Sequence, residues 1–293
     1  MRWPEGFIAV DWGTTNRRAY SIGGDGTCAK EFEDNRGILS VERGQFEAAV
    51  REIRDRLGDQ PMLLAGMIGS NRGWKEAPYV RCPAGLDELA SALVWADERT
   101  AIVPGVAFRD GRSDVMRGEE VQILGAAASG EIPPDCLVCH PGTHNKWVVV
   151  RGGRIGSFRT VMTGELFNLL KEHSILSDLL EAEATAGAAF CDGVRRGLSG
   201  AGVTAELFEA RARFLLGGLE RADAGSLVSG LLIGEDVRVG TADKPDSPVI
   251  VMGRPELTEL YAAALNEAGI GSEQIDGEGA FIAGARRIAE RIA

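Results

Sequence analysis

The sequence predicts an α/β protein of two lobes built from a duplicated domain, and three observations carry that prediction. The 293 residues suffice for two cores of ordinary domain size. Short apolar runs of strand character alternate with helix-period segments from one end of the chain to the other. Finally, Asp11-Trp12-Gly13-Thr14-Thr15-Asn16-Arg17 has a counterpart in His140-Pro141-Gly142-Thr143-His144-Asn145-Lys146, matching Gly, Thr and Asn and pairing Arg with Lys. Glycine pairs follow at the same offset, Gly23-Gly24 and Gly152-Gly153. Each lobe thus opens with a strand, a Gly-Thr turn, a second strand and a glycine turn.

The elements follow in order. In the first lobe, residues 1–132, Phe7-Ile8-Ala9-Val10 reads as a buried strand and Arg18 to Ile22 as its hairpin partner, closed by the turn residues Gly23 to Gly26. Phe46, Ala49, Val50, Ile53 and Leu57 fall at helical spacing with charges between them. A short strand over Met62 to Gly66 leads into a loop from Ile68 to Ala84 that carries glycine, proline and tryptophan. Its length implies a task of its own. A helix over about Leu86 to Ala96, a strand at Ala101 to Val103 and a helix over Glu119 to Ala128 complete the lobe. Pro133-Pro134 marks the start of the second lobe, residues 133–293. There the strand Leu137 to His140 precedes a hairpin arm, Trp147 to Val150, that turns at Gly152-Gly153. Amphipathic helices run through Ala222, the strand Pro248 to Met252 meets Gly253, and helices close the chain.

Composition narrows the function. A formal net charge of -11 disfavours a nucleic-acid or anionic-membrane surface, because either needs a cationic stripe to displace counterions. No stretch reaches the roughly 18 apolar residues of a membrane span, and Met1 to Gly6 lacks the parts of a signal peptide. A soluble cytoplasmic protein is expected, with a small molecule as its partner and a homodimer left open. Five cysteines without regular spacing fit reduced thiols better than a disulfide framework. Cys136-Leu137-Val138-Cys139 followed by His140 does match a redox or metal motif, but it lies in an apolar strand and has no second cysteine pair. The Walker pattern G-x-x-x-x-G-K-S/T, G-x-G-x-x-G after a strand, the protein-kinase set, H-E-x-x-H and G-x-S-x-G are all absent. Nucleotide chemistry, if present, falls to the two hairpins.

A Gly-Thr turn suits phosphate. Glycine lets backbone approach closely, successive N–H groups point into the bend, and threonine hydroxyls add donors. Asp11, at the end of its strand, is placed to hold Mg2+ through water, since magnesium keeps most of its hydration and takes few carboxylates. Asn16, Arg17, Asn145 and Lys146 can add phosphate contacts. One such turn is more often an ordinary hairpin; the second copy at matched offset weighs for phosphate.

These residues carry a resemblance. Asp11-Trp12-Gly13-Thr14-Thr15-Asn16 resembles the first phosphate motif of the sugar kinase, Hsp70 and actin superfamily, and Pro141-Gly142-Thr143-His144-Asn145-Lys146-Trp147 its second. Val249 to Gly253 is similar to the strand and glycine that support adenosine. Gly66-Met67-Ile68-Gly69-Ser70, Gly73-Trp74, Glu76-Ala77-Pro78-Tyr79-Val80, Asp114-Val115-Met116-Arg117-Gly118-Glu119-Glu120, Met162-Thr163-Gly164-Glu165-Leu166-Phe167 and His173-Ser174-Ile175-Leu176 resemble the 2-dehydro-3-deoxygalactonokinase family in particular. The resemblance implies the two-lobed actin-like fold, a duplicated ribonuclease H-like arrangement with an interdomain cleft. It also implies ATP and Mg2+ as cofactors and transfer of phosphate to the terminal hydroxyl of 2-dehydro-3-deoxy-D-galactonate. A non-catalytic metabolite-binding module of the same fold is the alternative, against which intact Asp11 and Asp114 count.

By the same resemblance, Gly13, Thr14, Thr15, Asn16, Gly142, Thr143, His144, Asn145, Lys146 and Gly253 join Asp11 in holding the nucleotide. His140 stands where many superfamily members have an acid, so Asp11 is the one metal carboxylate indicated. Asp114 occupies the place of the catalytic base, opening the helix that leads to Pro133, and that role is favoured over the alternative of a helix cap, by it or by Ser113. Glu119 and Glu120 are expected in a solvated first turn. For the sugar acid, the long loop offers Ser70, Arg72, Trp74, Glu76 and Tyr79 together with Lys75 and Arg81, since a 2-keto acid needs donors for its carboxylate and partners for its hydroxyls. Thr163 and Glu165 form a second substrate patch, or simply a helix start.

Overall fold

The structure, a computed structural model, describes residues 2–292, which divide into two compact units. In the first, β1 (Gly6–Trp12), β2 (Arg17–Gly23) and β3 (Cys28–Asp34) precede α1 (Phe46–Leu57) and β4 (Met62–Gly66). Then come β5 (Tyr79–Arg81), α2 (Leu86–Ser91), β6 (Val94–Asp97), β7 (Thr100–Ile102), β8 (Gly105–Arg109), β9 (Ser113–Met116) and α3 (Glu119–Ser129). The main sheet runs β3-β2-β1-β4-β7-β6, with β1 antiparallel to β2 and parallel to β4. Ile8, Val10 and Trp12 alternate onto one face, where Phe46, Val50 and Ile53 of α1 cover them. The helical spacing read from the sequence is therefore the buried face of α1.

The stretch expected as one helix over Leu86 to Ala96 is instead α2 followed by β6, which pairs antiparallel with β7. Val94 and Trp95 are β-branched and aromatic, and the Trp95 ring packs edge-on against Trp3 at 6.0 Å. A separate small sheet runs β5-β8-β9.

From Cys136 onward the chain builds a second sheet with its helices, most of it in the second unit: β10 (Cys136–His140), β11 (Asn145–Arg151), β12 (Arg154–Val161), α4 (Thr163–His173), α5 (Ala188–Ser199), α6 (Val203–Leu215), α7 (Arg221–Gly240), β13 (Val249–Gly253), α8 (Pro255–Glu267) and β14 (Ser272–Asp276). Its sheet order, β12-β11-β10-β13-β14, repeats β3-β2-β1-β4-β7 strand for strand. β10 runs parallel to β13 and β13 to β14, as β1 does to β4 and β4 to β7. The sequence repeat thus has a structural counterpart in each unit. α7 is buried along most of its length and meets α5 backbone to backbone: a Cβ on Gly193 would stand 2.1 Å from the Leu227 carbonyl oxygen.

Division by contacts falls after Asp135 where the sequence reading put the boundary at 132/133, and it also assigns two later segments, Val150–Phe158 and the chain from Gly277 onward, to the first unit. Ala84 and Ile155 exchange backbone hydrogen bonds at 2.9 and 2.8 Å, and Arg154 reaches Glu88 at 2.7 Å. The last helix, α9 (Gly277–Ala289), lies against α3, its Gly284 having no room for a Cβ beside the Val121 carbonyl, and Phe281 meets Tyr20 at 5.8 Å.

Candidate active site

In the first unit the turn from β1 to β2 closes through Gly13 N–H to the Asn16 carbonyl at 2.9 Å. The amides of Gly37, Ile38 and Leu39 donate to the carbonyls of Thr15, Gly13 and Thr14 at 2.8, 3.0 and 3.2 Å. The turn's carbonyls are thereby engaged from behind, and Thr14 and Thr15 are left exposed at its tip. Asn16 donates to Glu33 at 3.4 Å. Arg17, which the sequence offered to phosphate, is fully buried and forks onto Asp34 at 2.9 and 3.0 Å, so it braces the hairpin instead.

Asp11 is half-buried at the end of β1. Its Oδ1 lies 3.4 Å from the position a Cβ would take on Gly66 and 3.9 Å from that on Gly118. Both glycines have left-handed backbone, φ 88° and 112°, where a side chain would be strained. Three segments therefore converge on one carboxylate without side chains from two of them. The space that Cβ atoms would fill suits a hydrated cation held by one carboxylate.

Asp114 does not open a helix. It lies in β9 opposite Phe108 of β8, its carboxylate accepting from the Val115 amide at 2.9 Å and facing Arg112 at 3.6 Å. The helix begins only at Glu119, after the turn at Gly118, so neither Asp114 nor Ser113 caps it. Glu119 accepts from the Arg117 amide at 3.1 Å. Glu120, expected in a solvated turn, is fully buried, and both of its oxygens accept from the Gly118 amide at 2.9 and 2.7 Å. Burial, reinforced by the charge of Glu119, pushes its pKa up to about 8.

The loop after β4 folds around a 3-10 turn, Met67–Gly69. Ser70 Oγ donates to the Met67 carbonyl at 2.7 Å and accepts from the Arg72 amide at 3.3 Å, so it serves the turn. Trp74 is half-buried against the core, and Lys75 donates to the carbonyls of Trp95 and Ala96 at 3.2 and 2.8 Å. Arg72, Glu76, Tyr79 and Arg81 are exposed. Sequence reasoning passed over Arg117, whose guanidinium is buried under this loop and donates through Nη2 to the Ala77 carbonyl at 2.8 Å. The available signal was an arginine set between an inward-facing methionine and a glycine.

In the second unit, Gly142, Thr143 and His144 form the turn between β10 and β11. The start of α4 packs on it: the Glu165 amide donates to the Thr143 carbonyl at 2.9 Å, and a Cβ on Gly164 would stand 2.5 Å from the Gly142 carbonyl oxygen. The Glu165 carboxylate contacts His144. Glu165, offered by the sequence to the sugar acid with Thr163, is thus a partner of the β10–β11 turn. Asn145 and Lys146 are buried, and the Lys146 ammonium donates to the His144 carbonyl at 2.9 Å.

Asp236 of α7 ties this region together. It is fully buried and accepts from Asn145 Nδ2 at 2.9 Å, Trp147 Nε1 at 2.7 Å, and the hydroxyls of Thr163 and Tyr261 at 2.5 Å each. Burial pushes its pKa above the ordinary carboxylate value, while these hydrogen bonds pull it down. Beside it opens a pocket of about 430 Å³ whose walls include Gly142, Thr143, Thr163, Phe167, Ser229 and Leu260. Gly253 ends β13 with a Cβ direction 3.7 Å from the Pro141 carbonyl oxygen. Cys136 and Cys139 are buried, and burial holds the Cys139 thiol well above its ordinary pKa, which disfavours its thiolate.

The family model described as 2-keto-3-deoxy-galactonokinase matches residues 11–288. The 2-dehydro-3-deoxygalactonokinase of Escherichia coli strain K12 is 36% identical over 291 residues, covering 98% of each chain. A crystal structure from Sinorhizobium meliloti, described as a candidate 2-dehydro-3-deoxygalactonokinase, superposes with a TM-score of 0.90 at 37% identity, over 98% of this chain and 99% of the other. Component A of (R)-2-hydroxyglutaryl-CoA dehydratase from Acidaminococcus fermentans shares the fold at a TM-score of 0.53 and 13% identity, over 98% and 99% of the two chains.

Proposed function

The chain belongs to the 2-keto-3-deoxy-galactonokinase family, and from that footing we propose that it transfers the terminal phosphate of ATP to the terminal hydroxyl of 2-dehydro-3-deoxy-D-galactonate. The products are the 6-phosphate and ADP, a step of galactonate catabolism. The observation that carries this reading is the relatedness over 98% of the chain, together with a Gly-Thr turn in each unit. The fold is the actin-like one of that family, and nothing favours the non-catalytic alternative.

The roles of individual residues are part of the proposal. The second-unit pocket beside Gly142 and Thr143 has the volume and apolar lining to take a nucleoside, and the second turn takes phosphate through backbone amides and the Thr143 hydroxyl. Asn145 and Lys146 act by holding that turn, since their side chains are buried in the unit. In the first unit Thr14 and Thr15 offer donors to phosphate, and Asp11 would hold Mg2+ through water. That cation, when bound, neutralises charge on the phosphates. The loop residues Arg72, Trp74, Glu76 and Tyr79 face the sugar acid. A carboxylate takes the proton of the attacking hydroxyl, which must lie within hydrogen-bond reach of it. Asp114 is the base the family motif indicates. The contact of Gly118 with Asp11 favours Glu119 as a second reading, because the residue after Gly118 stands next to the proposed cation site.

An ADP-release assay across a panel of aldonic and 2-keto-3-deoxy acids tests the reaction. The expected result is turnover of 2-dehydro-3-deoxy-D-galactonate well above every other acid, dependent on magnesium. Equal turnover across the panel, or none, overturns the substrate assignment.

A further inference from the structure

The geometry points to Arg117 as the residue that binds the carboxylate of the sugar acid, an assignment that rests on the kinase reading above. Arg117 is only 9% exposed, yet its Nε and Nη1 have no hydrogen-bond partner among the described residues. Its one side-chain hydrogen bond there is from Nη2 to the Ala77 carbonyl at 2.8 Å. A buried guanidinium with donors unmet is rare in a folded protein, because each lost water partner is normally replaced. Here the replacement is missing, and the open N–H groups, one on each of the two edges that meet at Nη2, call for acceptor oxygens such as an anion supplies.

The surroundings are built for that partner. Tyr79 of β5 lies opposite Gly105 of β8, and because Gly105 has no side chain the ring reaches across the strand, its carbons 2.7 Å from where a Cβ would stand. The ring thereby covers the guanidinium face, Cζ to centroid 4.4 Å, a cation–π contact that leaves the in-plane N–H groups for hydrogen bonds. Gly69 closes the other side, its Cβ position 2.8 Å from Nη1. Tyr79 is 40% exposed and its strand is an edge of the small sheet, so a shift of this ring admits a ligand to the guanidinium edge. Gly69, Ala77 and Tyr79 all belong to the long loop assigned to the substrate.

The other cations of this region are less suited. Lys75 is engaged by two backbone carbonyls, and Arg72 and Arg81 are exposed, where water and salt weaken a charge pair. Arg117 is held away from water, so its pairing with a carboxylate is both stronger and more selective. Its neighbour Gly118 lies against Asp11, which sets the acid group at one end of an arginine side chain and the phosphorylated hydroxyl at the other. In a chain of net charge -11, such a local cation overcomes the repulsive field that an anionic substrate meets.

The test compares 2-dehydro-3-deoxygalactonate with its neutral carboxamide in wild type, Arg117→Gln and Arg117→Lys, measuring kcat/KM by ADP release, KM for ATP, and melting temperature. Arg117→Gln is expected to lower kcat/KM for the acid by roughly 100-fold or more, while the carboxamide changes by less than about fivefold and KM for ATP holds, so the acid-over-amide preference collapses. Arg117→Lys, which keeps the charge and loses the fork, recovers part of it. An equal fall on acid and amide means that Arg117 only supports the loop, and overturns the assignment, as does an unchanged preference in both variants. Wild type inactive on the acid removes the kinase reading and this assignment with it, whereas active wild type with unselective variants removes this assignment alone. If Arg117→Gln does not fold, the acid-to-amide ratio of Arg117→Lys decides by itself.

Discussion

Replacing Asp236 by Asn tests whether a single buried carboxylate sets the β10–β11 turn, to which the proposed function gives a phosphate. In the native unit one oxygen accepts from Trp147 Nε1 and the other from Asn145, Thr163 and Tyr261. Asparagine keeps the shape but presents an NH2 group to one of these sides. Turned toward Trp147 it opposes the indole N–H, which has no freedom to rotate; turned the other way it opposes the Asn145 amide, while the hydroxyls can reorient. In either orientation at least one buried donor loses its acceptor and the remaining bonds lose their charge, together about 2–4 kcal/mol. For a protein of this size that corresponds to a drop of about 3–7 °C in melting temperature. Function should follow, because Asn145 and Trp147 carry one arm of the turn and Thr163 starts the helix that packs on it. The expected pattern is a raised KM for ATP with the KM for sugar acid nearly unchanged. Calorimetric melting and initial-rate kinetics on one preparation read both effects. A variant that melts within a degree of wild type with an unaltered KM for ATP refutes the reasoning.

Three further perturbations address the first unit. Asp11→Asn should weaken magnesium activation by roughly 10- to 100-fold, the range for groups that act on a metal through its outer sphere, with melting unchanged; wild-type turnover at limiting magnesium would remove its role. Of Asp114→Asn and Glu119→Gln, the one that replaces the base should lose about two to four orders of magnitude in turnover while calorimetry still detects sugar-acid binding, and two variants that each keep more than a tenth of wild-type turnover would exclude both. Glu120 has a folded pKa of about 8 against an ordinary 4.5, so the folded state binds the extra proton between these values and stability falls as pH rises from 4.5 to 8. Glu120→Gln, the isostere of the protonated acid, should therefore gain on wild type by up to about 1.4 kcal/mol per pH unit across that window and no further above it; parallel melting curves from pH 5 to 9 would show that Glu120 does not titrate there.

What the sequence disclosed and what it hid follow one physical division. Residues whose role is local were legible: the apolar alternation of β1, the 3.6-residue spacing of α1, and a Gly-Thr turn repeated at matched offset each depend on neighbours a few positions away. Elements fixed by distant partners were not. β6 is a strand because β7 lies beside it, β3 is mostly exposed and charged and pairs only through β2, and α9 belongs with α3 rather than with its own sequence neighbours. The same division runs through the site. Asp11 stands beside its turn and could be read there, whereas Asp236 gathers donors that come from as far as 91 positions along the chain, and no spacing rule points to it.

Side-chain direction was the other hidden quantity. Asn145, Lys146 and Arg17 have the chemistry of phosphate ligands, and the sequence could not tell that folding turns them inward to brace the turns they follow. Arg117 is the converse case: a cation next to a glycine looks like surface, and only its burial with donors unmet gives it a meaning. A polar residue's type thus states what it can bind, while the completeness of its hydrogen bonding in the folded chain states whether it is still free to do so. By that criterion Asn145 and Arg17 have side-chain donors answered within the protein, whereas Arg117 keeps two buried donors that no group among the described residues meets.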